Sequence, residues 1–320
     1  RFLCCYPNTE TTTMLLSPRF HHLHLRSVDP ETAIEFYARQ FPSCEKGQWA
    51  GLPALLSPND VMILFDRMDT PPPKTPQSAI WHFGWHVKDS RATTAEFASR
   101  EEVIPRPLYS GIANESVLIS SDTWFRDGDK LGVSKRQIAE YRAQGAPIPG
   151  GPGFAYFEGP EEVLFEIAGD YPDERFNHVH MWQEDPLCAQ LWYQKHFNAP
   201  PRASFGDAGV TEADCKVPRT GDFTYPALNP RGMYRAPRGG VTFGDVDLIW
   251  YPNQGEEPLA PSVGQFQDHI GLSVANLDVW VNKLKKEGIT FLSDIYTLGE
   301  TRAVMIEGPS REGLELVEKT

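Results

Sequence analysis

The chain aligns with itself, and this duplication constrains its fold more than any other feature. Phe20-His21-His22-Leu23-His24-Leu25 runs into Asp29-Pro30 and then Phe36-Tyr37. Phe176-Asn177-His178-Val179-His180-Met181 runs into Asp185-Pro186 and then Trp192-Tyr193, with His, His, Asp, Pro and Tyr at the same offsets. A second kind of segment also occurs twice: Trp81-His82-Phe83-Gly84-Trp85 with Asp89 seven residues after the histidine, and Asp268-His269-Ile270-Gly271-Leu272 with Asn276 seven after. Each half closes alike, Glu158-Gly159-Pro160 preceding Glu166 and Glu307-Gly308-Pro309 preceding Glu315, six residues from Pro to Glu both times. Asp60–Phe65 and Asp245–Trp250 match as well. A chain of 320 residues is therefore read as four copies of one unit, arranged as a tandem duplication of a two-unit half.

Each unit opens on a strand of period two. Leu23 and Leu25 face one way and His22, His24 and Arg26 the other; Trp81, Phe83, Trp85 and Val87 oppose His82, Gly84 and His86; Ile270, Leu272 and Val274 oppose His269, Gly271 and Ser273. A helix follows each strand, with Asp29, Asp89, Asp185 and Asn276 as N-caps and Pro30 and Pro186 at the first helical position. Leu277, Trp280, Val281 and Leu284 make the clearest apolar stripe, and Gly288 ends that helix. The expected class is α+β: tandem βαβββ modules forming two domains, each a curved mixed sheet with helices on the outer face and histidines on the concave face. Units pairing in sequence order would place the domains at 18–170 and 171–320, after a tail over 1–17. Pairing first with fourth and second with third is the alternative.

Sequential pairing collects His22, His82 and Glu166 in one half and His178, His269 and Glu315 in the other. One histidine on a strand is ordinarily a hydrogen-bonded structural residue. The same residue types recurring at equivalent positions in both halves point instead to metal ligands, since two imidazoles and a carboxylate make a facial triad with coordination positions left over. His24, His86 and His180 lie on the same face and suit acid–base or substrate-orienting work. His21 and His196 fall off the pattern and read as structural.

The motif His-x6-Asp, a helix ending in Phe-Tyr or Trp-Tyr, and a late Gly-Pro-x5-Glu resemble the vicinal oxygen chelate superfamily, which includes glyoxalase I, bleomycin-resistance proteins, methylmalonyl-CoA epimerases and type I extradiol dioxygenases. The resemblance covers about residues 20–320. It implies metal ligands on the first and last strands of the units, at His22, His82, Glu166, His178, His269 and Glu315. Glyoxalases and epimerases of this type add a fourth ligand, whose positions here hold Leu64 and Ile249. That departure resembles the three-ligand extradiol enzymes, as does Tyr156, ten residues before Glu166, where those enzymes carry a substrate-contacting tyrosine; Met305 stands at the duplicated position. A contrary departure is Asp69 and Gln254 at one of the positions where extradiol enzymes carry acid–base histidines.

Three function classes follow. The first is an Fe(II)-dependent extradiol-type dioxygenase acting on a catechol-like or enediol compound that chelates through two oxygens. The second is an isomerase, lyase or epimerase with a divalent metal. The third is a non-catalytic small-molecule binder of the resistance type. Fe(II) is the expected ion, and Mn(II), Zn(II) or Ni(II) also suit the donors. The partner is a small molecule; self-association stays open. A net charge of −13 without a basic cluster argues against nucleic acid, and no apolar run is long enough to span a membrane. Cys4, Cys5, Cys44, Cys188 and Cys215 are odd in number and lack ligand spacing, so they read as reduced thiols in a cytoplasmic protein, with an exported form and a processed leader as alternatives. Two insertions, 121–150 with Trp124, Phe125 and a helix over 134–144, and 199–239 with Tyr225 and Tyr234, are expected to cover the concave faces or to pack between domains or subunits.

Overall fold

A computed structural model describes residues 15–74, 76–110, 118–120, 143–145, 154–169, 171–203, 209–217, 237–253 and 257–319. The first unit runs β1 (Arg19–Ser27), α1 (Pro30–Gln40), β2 (Glu45–Trp49), β3 (Leu52–Leu56) and β4 (Met62–Arg67). The second runs β5 (Ile80–His86), α2 (Ser90–Ala98), β6 (Ile104–Ser110), β7 (Leu118–Ser120), β8 (Phe154–Glu158) and β9 (Leu164–Ala168). The third gives β10 (Arg175–Gln183), α3 (Pro186–Phe197), β11 (Gly239–Phe243) and β12 (Val246–Pro252). The fourth gives β13 (Gln267–Val274), α4 (Leu277–Lys286), β14 (Tyr296–Leu298), β15 (Thr301–Glu307) and β16 (Gly313–Glu318).

The expected caps start the helices. Asp29, Asp89 and Asn276 accept hydrogen bonds from the backbone N–H groups of Thr32, Ala92 and Val279 at 3.2, 2.8 and 3.0 Å, satisfying donors that a first helical turn leaves open. Asp185 stands at the corresponding place before α3 but makes no cap bond; its carboxylate accepts from the Val217 N–H at 2.8 Å instead. The α4 stripe is buried as its spacing predicts, and Gly288 takes the left-handed φ of +75° that stops it.

Among the described residues two eight-stranded mixed sheets result, in the orders β14-β15-β16-β13-β1-β4-β3-β2 and β11-β12-β10-β5-β9-β8-β6-β7. The units therefore pair first with fourth and second with third. This corrects the sequential pairing: a boundary at residues 170 and 171 falls inside the second sheet, not between sheets. Link length supplies the physical reason. Ala168, His86 and Arg175 lie side by side on β9, β5 and β10. The chain leaving β9 thus needs to cross only two strand spacings, roughly 10 Å, to start β10. The short link 169–174 manages this within one sheet. The longer links 68–79 and 253–266 carry the chain between sheets, and they run together: Ser78 bridges Ala260, and the Ala260 N–H donates to the Gln77 carbonyl at 2.9 Å.

The apolar strand faces and the helices share one core. Leu23, Phe83, Trp85, Val179, Ile270 and Leu272 are all buried. Phe41, after α1, stacks on Trp85 of the other sheet at 4.4 Å, Tyr37 lies 5.6 Å from Phe83, and Phe197 of α3 stacks on Trp280 of α4 at 5.7 Å. The helix-bearing faces are thus turned toward each other, and the histidine faces point away from the shared core.

Cys188 on α3 and Cys215 form a disulfide, their Cα atoms 4.9 Å apart. This corrects the reading of all the cysteines as reduced thiols. Adjacent cysteine spacing was not needed, because the fold brings Cys215, 27 residues farther along the chain, against that helix. Disulfides persist in oxidising compartments, so the ground for a cytoplasmic setting is removed. Among the described residues no helix is long and apolar enough to cross a membrane. Cys4, Cys5, Trp124, Phe125, Tyr225, Tyr234 and nearly all of the helix expected at 134–144 lie outside the described residues.

Candidate metal centres

Strand pairing decides which histidines meet. His22 on β1 lies beside Gly271 on β13, and His24 beside His269; Glu315 on β16 is the neighbour of Gly271 on its other side. The second sheet repeats this arrangement with His178 beside Gly84, His180 beside His82, and Glu166 beside Gly84. The groups are therefore His22, His269 and Glu315 in one sheet and His82, Glu166 and His178 in the other. The triads expected from sequential pairing are not formed, since β1 and β5 belong to different sheets.

In the first centre His22 Nε2 lies 3.4 Å from both His269 Nε2 and Glu315 Oε2, and His269 Nε2 lies 3.9 Å from the same carboxylate oxygen. In the second, Glu166 Oε2 lies 3.0 Å from His82 Nε2 and 3.3 Å from His178 Nε2. Adjacent ligands about 2.1 Å from one ion stand about 3.0 Å apart when octahedral and about 3.4 Å apart when tetrahedral. The separations of 3.0–3.4 Å match these spacings, the 3.9 Å one is about 0.5 Å longer than the tetrahedral value, and the donor set suits a divalent cation. Glu315 Oε2 supports that fit: it is buried and has no hydrogen-bond partner among the described residues. Rings of His24 and His180 stack on His269 and His82 at 4.3 and 4.6 Å. His24 with His22 and His269, and His180 with His82, Glu166 and His178, each bring their donor atoms within 4.8 Å of one another.

Two local devices bring these rings together. Gly84 and Gly271 make room: a Cβ on Gly271 would sit 2.1 Å from the His22 ring, and one on Gly84 2.0 Å from that of His178. The second device is a β-bulge beside each of the four histidine ligands. The β1–β13 register skips His21 and Asp268, and the β5–β10 register skips Asn177 and Trp81. Each skipped residue immediately precedes a proposed ligand, and the extra residue re-aims the side chains there. Asp268 Oδ1 lies 2.6 Å from His269 Nδ1, Asn177 Oδ1 2.7 Å from His178 Nδ1, and His21 Nδ1 2.9 Å from His22 Nδ1. His82 is the exception: Trp81 packs edge-on against its ring, and its buried Nδ1 has no hydrogen-bond partner among the described residues.

Burial, more than any neighbour, keeps the imidazoles of His21, His22, His24, His82, His86 and His180 neutral. It pushes His21, His82 and His86 down to about 4 and His24 to about 3, and holds His22 and His180 well below the usual range. Burial also raises Glu315, only partly offset by His269 and Tyr296. Glu166 is likewise pushed up by burial, but His178 and His82 outweigh this and hold it well below the carboxylate range. Because the unfolded chain recovers histidines near 6.5, it binds more protons than the folded chain between about 6.5 and 4. Acidification through that window therefore favours unfolding. The melting temperature of metal-free protein is expected to fall between pH 6.5 and 4, and a rise on acidification there would contradict buried neutral histidines.

No family model and no curated protein matches the chain. Solved structures do. Glyoxalase I from Zea mays superposes with a TM-score of 0.55 at 12% identity, over 94% of this chain and 92% of that one. A Bacillus subtilis protein proposed to be a dioxygenase gives 0.52 at 11% identity, over 95% and 86%. The chain shares the fold of glyoxalase I. At such low identity the likeness is one of fold. Leu64, beside His24, and Ile249, beside His180, are both buried.

Tyr156 lies beside Glu166 on β8, its ring 5.0 Å from that of His82, and Met305 occupies the matching place beside Glu315. His86 lies on the ligand face beyond Gly84, stacked on Tyr171 at 3.7 Å. His196 is held by Glu287 of the neighbouring unit at 2.8 Å, a structural contact as its position off the pattern implied. His21 is not merely structural in the same sense, since it touches a proposed ligand. Sequence reasoning missed Tyr296, whose hydroxyl donates to Glu315 Oε1, because its place follows from β14 pairing and not from the repeat. It also missed Asp268 and Asn177, although both stand immediately before repeated histidines.

Proposed function

We propose that the chain is a metal-dependent enzyme of the vicinal oxygen chelate type, acting as an Fe(II)-dependent, extradiol-type dioxygenase on a catechol-like or enediol compound. The observation that carries this reading is the convergence of two imidazoles and one carboxylate in each sheet, with apolar Leu64 and Ile249 where a fourth carboxylate ligand would stand. A divalent ion held by these residues would supply Lewis acidity toward two adjacent substrate oxygens and, as Fe(II), electrons for oxygen chemistry. His22, His269 and Glu315 would hold one ion; His82, Glu166 and His178 the other. His24 and His180 are neutral imidazoles beside the donors and can accept a hydrogen bond from a substrate hydroxyl. Tyr156 can donate a hydrogen bond to substrate at the second centre, and His86 is placed farther along the same face. Trp81, Trp182 and Tyr251 wall that centre, with Trp81 stacked on Trp182 at 4.1 Å and Tyr251 5.5 Å from the His180 ring, which suits a planar substrate. Beside the first centre, a cavity of about 890 Å³ is lined in part by His21 and Trp49.

The expected result is oxygen uptake with such a substrate, lost on oxidation of the iron and restored by ascorbate. Because His86 and Tyr156 accompany the second centre, Glu166→Ala is expected to abolish turnover and Glu315→Ala to spare most of it; the opposite outcome would reassign the chemistry. A second reading rests on His24 and His180. If they serve as ligands, less room remains for oxygen beside a two-oxygen substrate, and an isomerase or lyase follows. Full activity under strict anaerobiosis with Zn(II) or Ni(II) alone would select it.

A further inference from the structure

The four bulges make the two centres unequal, and we propose that Asp268 is a positioning residue that makes the His22, His269 and Glu315 centre the tighter metal site. This rests on the metal-binding reading above. An imidazole that binds metal through Nε2 must carry its proton on Nδ1, and a partner that accepts from Nδ1–H fixes that tautomer before the ion arrives. At His269 the partner is the buried carboxylate of Asp268, 2.6 Å from Nδ1, so Nε2 is left bare and aimed at His22 and Glu315. Asp268 is itself held: its other oxygen accepts from the Gly264 N–H at 2.6 Å, and its carbonyl accepts from the Ser262 hydroxyl at 2.6 Å. The bulge is what turns this side chain alongside the next one, since in regular pleating adjacent residues point to opposite faces.

His82 occupies the equivalent place in the second sheet with the opposite arrangement. Its bulge residue is Trp81, which has no acceptor to offer, while its Nε2 lies 3.0 Å from Glu166 Oε2. In the free protein the favoured tautomer therefore carries the proton on Nε2, donated to Glu166, where the ion would need a lone pair. Binding there must move that proton to a buried Nδ1 without an acceptor among the described residues, which costs free energy that His269 in the first centre does not lose. His178 and His22 do not reverse this, because each has an Nδ1 neighbour, Asn177 and His21.

The test is titration of full-length, chelator-stripped protein with Zn(II) alone. Two steps of about one equivalent are expected, separated by tenfold or more in affinity. His22→Ala should remove the tighter step and His178→Ala the weaker. Asp268→Ala should weaken the tighter step about 10–100-fold, as loss of a ligand's hydrogen-bond partner does, and leave the weaker step within twofold. Asp268→Asn keeps an oxygen that can accept from Nδ1–H and should recover part of the loss; it also serves if the alanine variant does not fold. Equal affinities, removal of the tighter step by His178→Ala, or equal weakening of both steps by Asp268→Ala would each overturn the proposal while leaving metal binding intact. Absence of any zinc binding at micromolar supply would overturn the metal reading along with it.

Discussion

Replacing His22 and His82 together is expected to eliminate both equivalents of bound divalent metal, whereas replacing His22 and His269 together leaves one. The two double variants remove the same kind and number of side chains, so only the grouping of ligands separates them. His22 faces His269 and Glu315 across the β1–β13 pair, and His82 faces Glu166 and His178 in the other sheet. Loss of one imidazole from a three-residue set removes a strong donor and leaves the carboxylate with one ligand imidazole and the neighbouring ring of His24 or His180, which would have to turn to replace it, so the ion is held poorly. His22→Ala and His82→Ala strike different centres; His22→Ala and His269→Ala strike one centre twice. Metal content of dialysed protein, measured by elemental analysis after loading with a single divalent metal, reads the result directly. One retained equivalent in the His22, His82 variant and none in the His22, His269 variant would mean that the units pair in sequence order after all.

That grouping was only half legible in the chain. Two kinds of opening strand can be read off directly: His-x-His at His22 and His178, and His-x-Gly at His82 and His269. An antiparallel pair of opening strands sets the first histidine of one against a position two residues past the histidine of the other. Glycine is needed there, so strands of unlike kind must pair, and a union of the first and third units is excluded. Sequential pairing and first-with-fourth pairing both satisfy the rule. What separates them is a distance, the two strand spacings between β9 and β10 that the link 169–174 can cross without leaving the sheet. The proposed ligands stood out in the sequence because duplication repeats them, and three of the four expected caps form. The residues around the ligands were not. A bulge shifts Asp268 and Asn177 onto the face that strict alternation assigns to their neighbours, and Tyr296 reaches Glu315 from a strand that no repeat signal marks. Cys188 and Cys215 illustrate the same limit, since the fold decides their meeting.

Gly271→Ala is expected to cost the first centre its metal and to leave the second loaded, with Gly84→Ala doing the reverse. One methyl group suffices because the space is already filled. A Cβ on Gly271 would stand 2.1 Å from His22 Cε1 and Nδ1, and on Gly84 2.0 Å from His178 Cε1 and 2.1 Å from Nε2, far inside van der Waals contact. Nor can the ring simply turn aside. His22 is completely buried, with Trp49 at 5.8 Å, His269 at 5.4 Å and His24 at 6.1 Å between ring centres. Either the ring leaves its place or the two central strands separate, and both outcomes pull Nε2 away from Glu315. Overpacking of this kind typically costs about 1–3 kcal/mol of stability, so the melting temperature should fall together with the metal content. Gly47 is the internal control: it also lies in a strand, but a Cβ there meets nothing within 4 Å, and Gly47→Ala should keep both equivalents and an unchanged melting temperature. Should Gly271→Ala retain two equivalents at wild-type affinity, the His22 ring does not occupy the space above that glycine, and the pairing of β1 with β13 that puts it there would have to be abandoned.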